Sequence, residues 1–457
     1  MAHHRPGSRI DLKTGAVKTH LIRMTIPMIW GIAAMISMQL IDTYYISLLG
    51  TKELAAISFT FPVTMFIFYL IMGFGIAMSS VIARLIGEGR EEDVRRITTH
   101  GIFLVTLTGL LLGFLGWIFH NPVFEAMGAG DLISPLIRSY MILWLAGVPF
   151  LAIAFAANAS IRACGNASTP AYIMVGMAVL NALLTPVFMF GFFGLPRLEM
   201  TGAAIGTLLS QAVAAIACLW IIGHRQRMFV PLSRLQIRLF GNSCARILFI
   251  ALPAGLTSAI IPFVNSIIVS LLAAYGSETV AAYGIASRVE AFGFIVLMAL
   301  AVGMGPIIGQ NLGALHFARV RETLRKAIGF SVLWSIATGA LLMLLAVPIA
   351  SLFSDDPIVV YYTKMAFLII APTYLFQALA NGWSSAFNAM GKPQMAVAMT
   401  IVKMIVLTIP AVIFGAKAGG VMGIFMAIAL VNVITGLAFH WWSLHALARL
   451  QARLAPQ

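Results

Sequence analysis

Charge is what this chain has least of. Only 10% of its 457 residues are Asp, Glu, Lys or Arg, and 15 of them are acids. That excludes a water-soluble globule, which commits about a quarter of its residues to charge. Cysteine is scarce too: Cys164, Cys218 and Cys244 are too few and too scattered for a disulfide framework or a thiolate metal cluster, and no histidine pair has zinc-ligand spacing. No cofactor is called for. The N-terminal stretch MAHHRPGSRIDLKTG has no apolar core, so it does not read as a cleaved signal, and the first helix itself would direct insertion. What the chain does have is apolar length. With 61% hydrophobic residues, it reads as a polytopic membrane protein.

A membrane helix needs about 20 apolar residues. The pattern predicts twelve spans, near 22–48, 54–86, 97–119, 132–157, 170–194, 200–223, 247–275, 279–314, 324–353, 358–388, 394–416 and 419–447. The run 279–314 holds AVGMGPIIGQNLG and is expected to be one irregular helix. An even count places both termini on one side of the membrane. Lys and Arg accumulate in cytoplasmic loops, and here they gather in alternate connections. The N-terminal arm carries Arg5, Arg9, Lys13, Lys18 and Arg23; the second-to-third connection has Arg84, Arg90, Arg95 and Arg96. The centre has Arg225, Arg227, Arg234, Arg238 and Arg246, and the eighth-to-ninth connection has Arg319, Arg321, Arg325 and Lys326. The remaining loops hold few, chiefly Lys52, Arg197 and Lys417. Both termini are therefore expected in the cytoplasm, with the protein in the cell's inner membrane. The net charge of +14 follows from topology rather than from nucleic-acid binding, for which no motif is present.

An internal repeat sets the architecture. A shift of 226 residues places Pro27 on Pro253, Gly50 on Gly276, Ala55 and Ala56 on Ala281 and Ala282, and Gly87 on Gly313. A shift of 224 places Pro186 on Pro410 and Gly191 on Gly415. Two halves of six spans share one orientation. The expected fold is an all-α membrane protein whose twelve transmembrane helices form two six-helix lobes, related by a pseudo-twofold axis along the membrane normal. The expected divisions are a cytoplasmic arm at 1–21, an N-lobe at 22–223, a cytoplasmic linker at 224–246, a C-lobe at 247–447 and a cytoplasmic tail at 448–457. In such a two-lobe plan substrate is held near mid-membrane between the lobes.

Ionisable residues within the spans are costly and are retained mainly for function. Four stand out: Asp42, Arg288, Glu290 and Lys403. Asp42 lies about 9 Å from the outer end of its helix at 1.5 Å per residue, and the repeat brings apolar Ile268 to its place in the other lobe. A structural hydrogen bond to a neighbouring helix is the plainer reading of this acid; the one-sidedness argues for function. Asn181 and Thr185, four residues apart, share a face of the fifth helix just before Pro186, which frees a carbonyl of the preceding turn. An amide that donates and accepts suits a titrating acid, whereas Thr185 fits helix packing equally well. Arg288 and Glu290, two apart, do not face each other, and Glu290 is a candidate second proton site. Lys403 is open between neutralising a C-lobe acid, lining a cavity and reaching a cytoplasmic opening.

Several segments together resemble one family. QLIDTYYISLLGTKELAAISF in the first span, GFGIAMSSVIARLIGEGR in the second, LNALLTPVFMFG in the fifth, MTGAAIGTLLSQ in the sixth and VAAYGIASRVEAF in the eighth resemble the multidrug and toxic compound extrusion (MATE) transporters, in a pattern similar to the DinF-like branch. The resemblance covers nearly the whole chain. It implies an antiporter, not an enzyme, that expels organic and mainly cationic compounds in exchange for protons or sodium ions. It carries the first-helix acid onto Asp42, the fifth-helix Asn onto Asn181 and the sixth-helix Thr of the GAAxxT pattern onto Thr207. Where many relatives have a second fifth-helix acid, this chain has Thr185, and where one branch has seventh- and tenth-helix acids the nearest polar group on the seventh is Asn265.

Those absences bear on the coupling ion. Sodium wants several oxygen ligands and more than one negative charge, whereas a proton needs one titratable group, and desolvation favours the neutral form of a carboxylate. The proton is the expected coupling ion, with sodium second. The expected partners are small organic cations and membrane lipids, and the expected state is a monomer. A lipid or lipid-linked oligosaccharide flippase shares the frame but calls for several cavity cations, and only Arg288 and Lys403 are available. An intramembrane enzyme would need a paired-acid, metal-ligand or nucleophile motif, and no such motif is seen in the spans.

Overall fold

In a bilayer every backbone polar group must be satisfied within the chain, so long apolar runs close their hydrogen bonds as helices. The computed structural model describes residues 10–230 and 237–454. Arg5, Arg9 and Arg234, assigned above to basic segments, lie outside the described residues. The first lobe is built from α1 (Val17–Ser47), α2 (Thr51–Gly87), α3 (Glu91–Ala126), α4 (Ser134–Ala163), α5 (Ser168–Phe190) and α6 (Glu199–Trp220). The second has α7 (Phe240–Ala273), α8 (Ser277–Gly313), α9 (Phe317–Leu344), α10 (Ala346–Phe353), α11 (Pro357–Ile370), α12 (Tyr374–Ala389), α13 (Pro393–Ile401) and α14 (Ile409–Leu454). Among the described residues these make twelve apolar spans. The tenth is α11 and α12 joined by a short turn at Ala371–Thr373, where Pro372 cannot continue the ladder. The eleventh is α13, a wide π turn at Val402–Thr408, and the start of α14. The twelfth is the rest of α14, cut off by Gly419 and Gly420, the latter at φ +58.

Two expectations need correction. The run 324–353 is not one helix but α9 followed by the short α10. The glycine-rich run in the eighth span does not make α8 irregular, since α8 is one unbroken helix. Its glycines serve close approach instead. A Cβ at Gly313 would run into the carbonyl of Arg84 on α2, and one at Gly87 into the carbonyl of Gln310 on α8. The 226 shift maps Gly87 onto Gly313 and Arg84 onto Gln310, so the repeat is visible as a reciprocal contact where α2 and α8 cross. A Cβ at Gly309 would sit 2.7 Å from the Ala83 side chain, a pair related by the same shift. Similar pressure applies between α2 and α7, where Gly73 faces the backbone of Ala251 and Gly255.

Gly313→Val is therefore expected to cost about 2–3 kcal/mol, because backbone on the far side cannot give way as a flexible side chain would. Thermal unfolding in detergent measures it. Gly329→Ala, with open space around its Cα, should instead be neutral or stabilising by up to about 1 kcal/mol. Equal effects of the two substitutions would contradict this account of the crossing.

The lobes meet at one end. Among the described residues every hydrogen bond between them lies at the end carrying the arginine-rich connections, which we call the basic end. Ser80 on α2 donates to the carbonyls of Asn388 (2.7 Å) and Ala389 (3.2 Å) at the end of α12. His100 Nδ1 and Ser243 Oγ are 2.9 Å apart across α3 and α7. The segment before α1 ties both lobes together. Leu12 is buried, its N–H donates to Gln310 Oε1 (3.2 Å), and its carbonyl accepts from Asn311 Nδ2 (3.1 Å) and Arg319 Nη2 (3.3 Å). Ile10 N–H reaches back to the carbonyl of Cys164 at the end of α4 (3.1 Å). At the opposite end the facing halves of α1, α2, α7 and α8 present mainly half-buried or exposed side chains. The described hydrogen bonds between the lobes thus close the space between them at the basic end.

Candidate functional site

Asp42 lies on the half of α1 away from the basic end and is half-buried. Two neighbouring helices bring polar groups to it, so that three helices meet there. Helix α5 supplies Asn181 and Thr185, both fully buried. Thr185 Oγ1 donates to Asp42 Oδ1 at 3.3 Å. Helix α6 supplies Thr207, whose Oγ1 accepts from Asn181 Nδ2 at 3.2 Å and donates to the carbonyl of Ala203 at 3.2 Å. Asn181 and Thr207 also face the carboxylate. Asn181 Oδ1 is buried with no partner among the described residues. An acceptor left vacant beside a carboxylate is costly unless a donor arrives, and a protonated Asp42 is such a donor.

Local sequence explains why the three helices come so close. A Cβ at Gly206 would sit 2.7 Å from Thr185 Oγ1, and one at Gly202 would be 2.5 Å from the backbone of Phe188, so the two glycines of MTGAAIGT let α5 and α6 nearly touch. Gly31 plays that part between α1 and α5, against Met174 and Ala171. Pro186 leaves the carbonyl of Ala182, one turn earlier, without its helical donor. Tyr45 of α1 fills the gap, donating from its hydroxyl at 3.3 Å. The sequence shows the freed carbonyl but not its donor, and it also misses Tyr140 of α4, a buried phenol facing the same acid. Phenols in apolar helices carry no sequence signal that separates them from packing.

The second lobe has a polar cluster of its own. Glu290 of α8 accepts from Tyr374 OH at Oε2 and from Gln377 Nε2 at Oε1, both at 3.3 Å. Lys403, buried in the wide turn of the eleventh span, faces it without contact: the two interact electrostatically, yet among the described residues no ion pair within 4.0 Å joins them. Of the open roles for Lys403, neutralising a C-lobe acid is the one this placement fits. Tyr283 lies beside Glu290 and donates to Asn265 Oδ1 at 3.5 Å, with Asn265 itself exposed. Arg288 lies in the same helix as Glu290 but on another face. It is exposed and makes no hydrogen bond or ion pair among the described residues, because two positions along a helix turn it about 200° from Glu290. The 226 shift sets Thr64, bonded only to its own helix, where Glu290 stands, so each lobe has an acid that the other lacks.

Twelve spans in two duplicated lobes, packed at one end and holding charged groups between lipid-length helices, define a membrane transporter rather than an enzyme. The chain belongs to the MatE family: the family's model matches it twice, at residues 27–187 and 253–414, in the register of the internal repeat. It is 34% identical over 437 residues, 95% of this chain and 96% of the relative, to a protein of Shewanella oneidensis named FAD transporter. It is 24% identical over 432 residues to the multidrug export protein MepA of Staphylococcus aureus, covering 92% of this chain and 91% of that one. Among solved structures it is similar to the Vibrio cholerae MATE transporter VcmN in its bent form, with 28% identity, a TM-score of 0.89 and coverage of 95% and 98%. An outward-facing MATE transporter at 24% identity shares the fold, with a TM-score of 0.90 and coverage of 99% and 100%.

Proposed function

We propose that this protein is a proton-driven antiporter that exports organic, mainly cationic, compounds by alternating access, as a monomer in the inner membrane with both termini in the cytoplasm. The observation that carries this reading is the isolation of Asp42. It is the one acid of its cluster, bonded by Thr185 and faced by neutral Asn181 and Thr207, in the half of the lobe away from the basic end. A single carboxylate among neutral donors is enough for a proton, whereas sodium gains from a second charge that Thr185 does not supply.

The steps follow from competition for that carboxylate. With the basic end closed, Asp42 takes a proton from outside. Its charge disappears, a bound cation loses its counter-ion, and the new O–H has a ready acceptor in Asn181 Oδ1. Drawing α1 and α5 together in this way alters how the lobe sits against its partner, and the proton is released on the other side. Each proton moved down the field contributes about 2.3 kcal/mol per 100 mV. Proteoliposomes with an imposed proton gradient should export ethidium without sodium, and collapse of the gradient by an uncoupler should stop it. Export that needs sodium and ignores the uncoupler would overturn the reading.

A second reading concerns the cargo alone. The Shewanella oneidensis relative is named for a dinucleotide, and similarity of 34% over 95% of this chain gives that name weight. A phosphate-bearing cargo would call on Arg288 and Lys403. Competition between FAD and ethidium for uptake into inverted vesicles separates the two: inhibition by FAD favours the dinucleotide, and indifference favours cations.

A further inference from the structure

At the basic end, away from Asp42, lies a cavity of about 370 Å³ between the lobes. Arg84 of α2 enters from the first lobe; Arg246, Phe249 and Ile250 of α7 and Gly391 of the α12–α13 turn enter from the second. The Arg84 guanidinium rests against Gly391, whose φ of +71 and missing Cβ leave room for it. Its Nε donates to the carbonyl of Ser80 at 3.2 Å, which aims the fork, while its two terminal nitrogens make no hydrogen bond among the described residues. Arg246 is exposed and makes no hydrogen bond or ion pair there either. The two cations repel each other across the cavity. The nearby acids are engaged elsewhere: Glu88 pairs with Arg90 at 3.1 Å, and Asp93 bridges Arg90 and Arg96.

Two guanidiniums line one cavity with no carboxylate bonded to either among the described residues, and Glu88, the acid that acts on Arg84 from nearby, is already paired with Arg90; their free forks suit phosphate oxygens. The adjoining wall is apolar, and Phe249, three residues from Arg246 on α7, is half exposed. We infer that this cavity binds a phosphate ester between Arg84 and Arg246, and that an anionic phospholipid headgroup of the surrounding leaflet supplies it. Basic pockets between membrane helices take such headgroups, with acyl chains along the apolar wall. Because Arg84 belongs to one lobe and Arg246 and Gly391 to the other, the pocket exists only while the lobes are packed at this end. A bound phosphate therefore holds the basic end closed, and the lipid acts on the transport cycle as well as on stability.

Native mass spectrometry of the full chain, with phosphatidylglycerol titrated into detergent micelles, tests this. One tightly retained phosphatidylglycerol is expected, with phosphatidylcholine retained no better than background. Arg246→Gln should weaken it about tenfold, the loss of one charge-assisted contact, and Arg84→Lys should weaken it less by keeping charge but not the fork. Arg325→Gln, exposed at the same end, should leave it unchanged. Inorganic phosphate is the second arm. If phosphate alone raises thermal stability and Arg246→Gln removes that gain, the site is right but a soluble phosphate fills it. Spin labels across the basic end give a readout that mere packing would not move: phosphatidylglycerol should raise the closed population in the parent protein and not in Arg246→Gln. Equal retention of both lipids, or undiminished phosphatidylglycerol binding in Arg246→Gln, overturns the inference.

Discussion

Asp42→Asn is expected to bring proton-driven export in proteoliposomes down to the level of protein-free vesicles while leaving the protein folded. Asn is close in shape to Asp, and its amide oxygen still accepts from Thr185 Oγ1, which lies 3.3 Å from Asp42 Oδ1. Thermal stability should therefore change by less than about 1 kcal/mol, because no buried group loses its partner. Asp42→Asn cannot alternate between charged and neutral states. It should bind a cation more weakly, for lack of a counter-ion, and show no response to an imposed gradient. Asn181→Ala removes the acceptor proposed to meet the protonated acid and should give a partial loss, roughly tenfold, since one hydrogen bond to a group that changes charge is worth about 1.5 kcal/mol. Efflux assays at matched protein density measure both. Full gradient-driven export by Asp42→Asn would move the coupling site out of the first lobe.

Much of this is legible in the sequence because lipid imposes strict rules. Span lengths, the duplication and the isolation of Asp42 can be read directly, since an apolar run has few folds open to it. Glycine meaning is harder: AVGMGPIIGQNLG reads as a weak point in a helix, yet in α8 its glycines are the surface that meets α2. The missing information was the partner, because removing a side chain loosens a lone helix and tightens a packed one. The site shows the same division. Asp42, Asn181, Thr185 and Thr207 converge as their motifs suggest, whereas Tyr45, Tyr140, Tyr374 and Gln377 are recognised only when helices distant in sequence meet. Arg288 shows the same division: the sequence sets it within the eighth span, and only the structure shows its side chain exposed and turned away from Glu290.

The second lobe allows a test of how a buried charge is tolerated. Glu290→Gln leaves Lys403 buried in its wide turn with no negative group facing it, which is expected to cost about 2–3 kcal/mol, less than breaking a pair in contact. Lys403→Met should cost less, because Glu290 keeps the donors Tyr374 and Gln377. The double variant should recover to within about 1–2 kcal/mol of the parent, since replacing both charges by neutral groups of similar size removes the desolvation cost together with the attraction. Unfolding in detergent of the four proteins closes a double-mutant cycle, and a coupling energy of about 1–3 kcal/mol is expected for groups that sense each other without touching. Additive losses would mean that Lys403 does not neutralise Glu290 and faces the cleft on its own account. Transport by the double variant then settles what the pair is for. If gradient-driven export survives with its dependence on Asp42 intact, the Glu290 and Lys403 charges serve the fold of the second lobe. If stability recovers but export does not, Glu290 carries a proton of its own, and the two lobes share the coupling between an acid that stands alone and an acid that faces a lysine.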